Sequence, residues 1–310
     1  MQDITHCTNC ESTNFNLLFS GRDRLHSQDG EFSLIKCQDC GLVHLTPQPG
    51  RKEIQQYYPE DYISFPKAIE DETSWFRRLD RRYGLHRRCR EVILRAGSPG
   101  RLLDVGCATG IFLNGMKQRG WEVYGVEPSH YAAEYGRKRF KLNIFEGYLN
   151  EINFQEEFFN VVTLWDVLEH VPDPHNLLSE IARILKPGGL LVISLPNPCS
   201  WETGIFKEYW AGWDIPRHFH IFPVATLRQL VNKTGLGLNE VKSFTGRHGV
   251  LVLNTQFWLD DLQISNKIKR MITAIVKSLP VRLLSYPIYT ISERMNKSSI
   301  MVVFVQKPFH

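Results

Sequence analysis

The sequence predicts an α/β fold on a doubly wound, parallel sheet of seven strands, preceded by a small cysteine-bearing module. Three observations carry this expectation. From Arg101 onward, short apolar strands alternate with helix-like stretches, the pattern of strand–helix–strand units. The stretch LLDVGCATG (102–110) joins the first of these strands to a helix through a glycine turn. Upstream, CTNC (7–10) and CQDC (37–40) place two C-x2-C pairs 26 residues apart.

The 310 residues suit one large domain or a main domain with a small one. A hydrophobic share of 43% and a charged share of 23% leave room for a sizeable core. A net charge of +4 is too mild to argue for nucleic acid. MQDITHCTNC has no apolar run, so no secretory signal is expected. No uncharged apolar stretch is long enough for a membrane span. The expected division is a zinc-ribbon module at 1–50, a linker, lid and arginine-rich helix at 51–96, and the α/β domain at 97–310.

Taken in order, TPQPG (46–50) is a linker and YYPEDYISF (57–65) a candidate lid. RRLDRRYGLHRRCREVILR (77–95) reads as a helix with eight Arg against two acids and apolar positions at Leu79, Tyr83, Cys89, Val92 and Ile93. It stops at the breaker AGSPG (96–100). RLLDVG, WEVYGVEP, LNIFEG, FFNVVTLW and GLLVISLPN are strands one to five. The helices between them include IFLNGMKQRG, HYAAEYGRKRF and PHNLLSEIARILKPGG, the last with Pro at its start and Pro-Gly-Gly at its end. PVATLRQLVNKTG is a further helix, LNEVKSF strand six and SIMVVFVQKP the last strand. Residues 246–298 form an insertion between the last two strands. In it Ile268, Met271, Ile272, Ile275 and Leu279 recur at helical spacing opposite Lys267, Lys269, Arg270 and Lys277, with Pro280 as the stop. Such a helix either packs on protein or makes peripheral membrane contact through residues 266–290, at the inner face of the membrane for an otherwise cytoplasmic chain.

The glycine turn carries the chemistry. Asp104, Gly106, Cys107 and Gly110 end a strand and begin a helix, where glycine lets a ligand approach the backbone. Glu127, followed by Pro128, ends strand two, 21 residues past Gly106, where an acid accepts from ribose hydroxyls. The spacing departs from the G-x-G-x-x-G of NAD sites. A carboxylate at Asp104 would repel a pyrophosphate and suits a ligand with an ammonium and a sulfonium, as S-adenosylmethionine has. A plain βα turn without ligand is the rival reading.

LLDVGCATG, VYGVEPS, WDVLEHVPDP and LLSEIARILKPGGLLVISLPNP resemble class I S-adenosylmethionine-dependent methyltransferases. The resemblance covers about residues 97–245 and the final strand, and is strongest to ubiquinone-biosynthesis O-methyltransferases and bacterial polysaccharide- and sugar-cluster methyltransferases. It implies a seven-stranded Rossmann-like methyltransferase sheet. It also implies that Asp104 and the glycine turn hold the methionyl part, that Glu127 holds the ribose, and that Gly147, Tyr148 and Leu149 flank the adenine. Tyr148 stands where the family often has an acid, and Ala108 where it more often has Gly.

Trp165, Asp166, Glu169 and His170 follow strand four, at the end of the sheet where such folds bind ligands. Trp165 is expected beside the cofactor, Glu169 beside the substrate, and His170 as a base or a structural cap. WDIPRHFHIF (213–222) is expected as a substrate wall. There His218 is the candidate base, Arg217 a clamp for an anion or a partner of Asp214, and His218 and His220 share a face if the stretch is extended. Asp214, His218 and His220 as metal ligands are the weaker alternative.

Cys7, Cys10, Cys37 and Cys40 match a closed, structural tetrahedral Zn²⁺ site, with a redox dithiol as the rival. Cys89, Cys107 and Cys199 are left over. The expected activity is methyl transfer to a hydroxyl of a small-molecule, sugar or lipid-linked acceptor. An RNA methyltransferase using the ribbon and the arginine-rich helix, and a non-catalytic cofactor-binding module, are the alternatives. Nucleic acid is disfavoured because aromatic residues are not interleaved with the basic run.

Overall fold

The computed structural model describes residues 1–58, 67–244 and 248–309. The expected lid residues 59–65 and insertion residues 246–247 lie outside the described residues. In chain order the elements are β1 (Phe15–Gly21), β2 (Phe32–Cys37), β3 (Val43–Thr46), α1 (Trp75–Ala96), β4 (Arg101–Val105), α2 (Ile111–Lys117), β5 (Glu122–Glu127), α3 (His130–Phe140) and β6 (Asn143–Glu146). There follow β7 (Phe159–Trp165), α4 (Pro174–Ile184), β8 (Leu185–Pro196), α5 (Trp201–Phe206), β9 (His220–Ile221), α6 (Val224–Lys233), β10 (Gly237–Lys242), α7 (His248–Asp260), α8 (Asn266–Lys277), α9 (Leu279–Arg294) and β11 (Ile300–Gln306).

Two compact units result: Met1–Tyr57 with Leu195–Leu227 and Val241–Val302, and Tyr58–Ser194 with Arg228–Glu240 and Val303–His310. The linear division at residues 50 and 96 does not coincide with this grouping. The reason is apolar burial. Phe32, Leu34, Val43, Leu45 and Tyr57 share one core cluster with Trp210, Trp213, Ile215, Phe219 and Ile221. A module of 50 residues could not close such a core alone.

In the first unit β1, β2 and β3 form an antiparallel meander, and β9 adds to its edge through His44–His220 and Val43–Ile221. The stretch 213–222 is therefore not extended throughout. A 3-10 turn spans Ala211–Trp213, and the amides of Arg217 and His218 both donate to the Asp214 carbonyl, so only His220 and Ile221 are strand. Among its described residues the insertion is mostly helical, as α7, α8 and α9. Pro280 does not end its basic helix: α8 stops at Lys277, and Pro280 sits in the first turn of α9, where its missing N–H costs nothing. Glu202 of α5 is buried and accepts from Ser299, from Tyr289 at 3.3 Å and from Asn254 at 3.5 Å. Burial pushes its carboxyl up to about 7, against the pull of those hydroxyls.

The second sheet has the order β10-β11-β8-β7-β4-β5-β6, the seven strands expected. β6, β5, β4, β7 and β8 pair in parallel. The last strand departs from the all-parallel expectation. Gly188 donates to Lys307 and Asn197 to Ser299, so β11 runs antiparallel to β8. Strand order reverses beside β4, which opens a crevice at the carboxyl ends of β4 and β7. Ser129 caps α3 and Asp173 caps α4, as oxygen-bearing side chains do at helix starts. α4 ends at Ile184, and the Pro-Gly-Gly expected to close it lies within β8. On α1, Cys89 and Val92 are buried, whereas Leu79 and Tyr83, expected on the apolar face, are exposed.

Candidate functional site

Asp104 and Glu127 end two neighbouring parallel strands, and both carboxylates are buried. Asp104, 2% exposed, accepts from the Thr163 hydroxyl at 2.6 Å. Burial pushes its carboxyl up to about 7; the Thr163 bond and the Arg88 charge oppose this, and Glu127 adds to it. Glu127 accepts from the Ala108 amide at 2.8 Å and the Ser129 amide at 2.9 Å. Its carboxyl is also raised by burial, against those two amides. Among the described residues, the hydrogen-bond partners of this acid pair are a hydroxyl and two amides, none of them cationic.

The turn between the acids is shaped by backbone conformation. Gly106, Ala108 and Gly110 have φ of +69°, +46° and +77°. A Cβ on Gly106 would lie 2.6 Å from Val167, and one on Gly110 2.4 Å from Leu142. Ala108 takes the left-handed conformation despite its Cβ, and its amide is the one Glu127 holds. Cys107 is buried in this turn, its thiol pushed up by burial and by both acids. The Gly147 amide donates to the Glu127 carbonyl, which brings Tyr148 and Leu149 beside the β5 end; Leu149 is buried and Tyr148 exposed. Pro128 is exposed next to Glu127.

Trp165 closes β7, edge-on to Phe112 with ring centroids 5.2 Å apart. The guanidinium of Arg88 lies 4.8 Å from the Trp165 ring and 3.9 Å from Asp166, whose carboxylate also accepts from Ser194 at 2.7 Å. Sequence reasoning missed Arg88. Nothing in the run of eight arginines separates it from the rest, and only the buried face of α1 turns it toward β7. Arg78, Arg81 and Arg95 are also engaged within this unit, by Glu72, Lys67, Glu91 and Glu240. Glu169 is buried in a 3-10 turn, and the Tyr58 hydroxyl lies 3.0 Å from Nδ1 of His170.

A buried acid pair around a glycine cradle, without a cationic hydrogen-bond partner among the described residues, fits S-adenosylmethionine. A cationic group would be favoured beside Asp104, and a carboxylate has about four acceptor positions, so Glu127 keeps capacity for further donors. The sheet and its crevice define a class I S-adenosylmethionine-dependent methyltransferase.

A family profile described as a methyltransferase domain matches residues 79–241, more than half of the chain, and the chain belongs to that family. The ubiquinone biosynthesis O-methyltransferase of Alkalilimnicola ehrlichii is 37% identical over 128 residues, covering 39% of this chain and 52% of that protein. The Thiobacillus denitrificans protein of the same name is 36% identical over 175 residues, covering 51% and 74%. The chain thus spans about half the length of the first of these relatives. Among solved structures, the [4+2]-cyclase SpnF aligns with a TM-score of 0.53 at 17% identity, covering 85% of this chain and 99% of that one. A putative sarcosine dimethylglycine methyltransferase from Galdieria sulphuraria aligns at 0.50 and 13%, covering 83% and 97%. These two likenesses concern the fold alone.

The other expected site residues lie in the first unit. Arg217 is not a clamp on a pocket wall. Its side chain is fully buried, paired with Asp23 at 2.8 Å and Asp214 at 2.6 Å. Asp23 also accepts from the amides of Leu25 and His26. Asp214 is thereby taken up by Arg217 rather than by substrate. His220 is buried too, its ring 5.1 Å from that of His44, so it does not line a substrate wall. His218 is buried, with Nδ1 2.8 Å from the Gly212 carbonyl and Nε2 3.8 Å from Asp214.

The four expected cysteine ligands do converge. The Sγ atoms of Cys7, Cys10, Cys37 and Cys40 lie within 4.8 Å of one another, with Cys7–Cys40 and Cys10–Cys37 both at 3.5 Å. Tetrahedral zinc with bonds of about 2.3 Å needs sulfurs about 3.8 Å apart, so the donor set fits. The β2–β3 turn presents the second pair, with Gly41 at φ +80° and its amide on the Cys37 carbonyl. Burial works against the Cys37 thiolate, but amides at Cys40 and Asp39 bring it down to about 7. Nε2 of His44 lies 3.3 Å from Cys7 Sγ, and burial lowers that imidazole to about 3, so the ring is neutral.

Proposed function

We propose that the enzyme methylates a hydroxyl of a small-molecule acceptor, free or carried on a sugar or lipid. The names of its O-methyltransferase relatives support a hydroxyl. The observation that carries the reading is His170, which follows β7 with its ring held at Nδ1 by Tyr58.

S-adenosylmethionine supplies an electrophilic methyl group when bound. Asp104, with Gly106, Cys107 and Gly110, orients its methionyl part, and Glu127 its ribose. Tyr148, Leu149 and Trp165 flank the remainder, and the Arg88 guanidinium attracts the methionyl carboxylate. The remaining task is to align the acceptor and remove its proton. His170 and His218 are the proposed bases, with Glu169 beside His170. The hydrogen bond to Gly212 sets the tautomer of His218 with the proton on Nδ1.

Cys7, Cys10, Cys37 and Cys40 are proposed to hold one structural zinc, which would add folding energy to the first unit. Such a site needs reduced thiols, which supports a cytoplasmic location.

The test is methyl transfer from labelled S-adenosylmethionine to extract fractions, using wild type, His170→Ala and His218→Ala. Label in lipid or small-molecule fractions, lost in one variant with cofactor binding intact, is expected. Label confined to RNA, or turnover unchanged in both variants, overturns the reading.

A further inference from the structure

We propose that the outer face of α8 and α9 is a docking surface for an anionic lipid bilayer, in whose interface these helices lie. α9 is oriented apolar side out. Its inward stripe is Ser285, Tyr289 and Ser292, of which Tyr289 and Ser292 are buried. Its outward stripe is Leu284, Ile288, Ile291 and Met295, and Leu284 is 76% exposed. Helical geometry sets the two stripes about 100° apart, and Leu283 and Pro287, both exposed, lie opposite the inward one. An ordinary surface helix has the reverse arrangement.

α8 continues the pattern. None of its residues is buried, and Ile268, Met271 and Ile275, one turn apart, are all exposed. Exposed apolar side chains scattered singly are normal, but a contiguous stripe along two successive helices marks an interaction site.

Charge selects the occupant. From Asn266 to Ser292 the chain holds Lys267, Lys269, Arg270, Lys277 and Arg282 and no acid. Lys269, Arg270 and Lys277 line a cleft of about 480 Å³ on the α7 side of α8, with Asp260 the acid at its wall. Apolar residues flanked by a segment rich in cations match acyl chains beneath anionic headgroups. A second copy of this chain would bring the same cations against themselves.

The geometry also separates lying from spanning. Among the described residues no single helix is long and apolar enough to cross a membrane; α8 and α9 pass only as a pair, bent by 58°. Their 12 and 16 residues reach about 18 and 24 Å, short of a hydrocarbon core of about 30 Å.

The experiment is flotation of the full chain with vesicles of phosphatidylcholine alone or with one third phosphatidylglycerol. Binding to the anionic vesicles, weakened when salt shortens the screening length, is expected. Replacing Lys269, Arg270 and Lys277 by Gln should weaken it by about fivefold per charge, on the order of 100-fold together. Leu284→Ser with Ile288→Ser should reduce the binding that survives high salt. All five positions lie outside the cofactor crevice, so S-adenosylmethionine binding should be unchanged and reports that each variant is folded. Absence of flotation with anionic vesicles overturns the proposal. So does equal binding by the charge variant, resistance to alkaline carbonate extraction, or a dimer that the Leu284/Ile288 variant dissociates.

Discussion

Asp104 and Thr163 are register partners on β4 and β7, and the Thr163 hydroxyl donates to the Asp104 carboxylate at 2.6 Å. The bond fixes a buried acid at the strand end where the cofactor's cationic part is proposed to sit. Thr163→Val keeps the shape and removes the donor, which costs about 1–3 kcal/mol for an unsatisfied buried group. Melting temperature and calorimetric affinity for S-adenosylmethionine should both fall, and Thr163→Ser should restore them. Unchanged affinity in the Val variant would remove Asp104 from the cofactor site.

The pH dependence follows from the direction of the Asp104 shift. Its folded carboxyl titrates at about 7, above the unfolded value of 3.8. Between those values the folded chain keeps a proton that the unfolded chain has lost. Stability of the cofactor-free protein therefore falls as pH rises through that window, by up to about 4 kcal/mol from this group, and is level above it. Glu202, raised to about 7, adds a slope of the same sign. Urea titrations across the window should show the decline, and Asp104→Asn should flatten it. A cationic ligand favours the carboxylate, so S-adenosylmethionine should bind more tightly as pH rises and release a proton that Asp104→Asn does not.

Arg217 is held by two carboxylates, of which Asp23 is fully buried and Asp214 only 15% exposed. Arg217→Met leaves Asp23 buried without its counterion and should cost about 3–5 kcal/mol. Arg217→Lys should rescue little, because a single ammonium lacks the fork that meets both acids. Urea unfolding of the three proteins checks this; a loss below 1 kcal/mol for Met would make the triad energetically idle.

Elemental analysis should find one zinc per chain. Cys37→Ser should lose it, and a chelator should lower the melting temperature of wild type by about 10 °C or more, several kcal/mol for a chain of this size. A metal-free preparation, made without chelator and as stable as the Ser variant, would count against the site.

Gly110→Ala should abolish cofactor binding. The new Cβ would meet Leu142 at 2.4 Å, at a φ of +77° that alanine disfavours. Equilibrium dialysis with labelled cofactor reads the loss; retained affinity would show that the cradle can give way.

The strand–helix alternation and the Asp104, Gly106, Gly110 and Glu127 set were legible because each depends on neighbours in sequence. The same holds for the cysteine spacing, which encodes its own convergence. The pairing of Arg217 with Asp214 was legible as one of two readings, but its burial was not. Its second partner, Asp23, is 194 positions away, and a buried ion pair looks in sequence like an exposed clamp. His220 was misjudged for a related reason: its face is set by pairing with His44 on β3. Arg88 was hidden among equals. The outward apolar stripe of α9 was visible as SYPIYTI, but which side it shows depends on Tyr289 turning inward to Glu202.

The pairing of β9 with β3 joins segments more than half the chain apart. A ribosome adding about 5–20 residues per second exposes the edge of β3 on the order of ten seconds before its cover is made. The nascent amino-terminal sheet therefore waits, half its core missing and one edge unpaired, as a client for chaperones. A later-made segment decides whether the earlier-made sheet is completed.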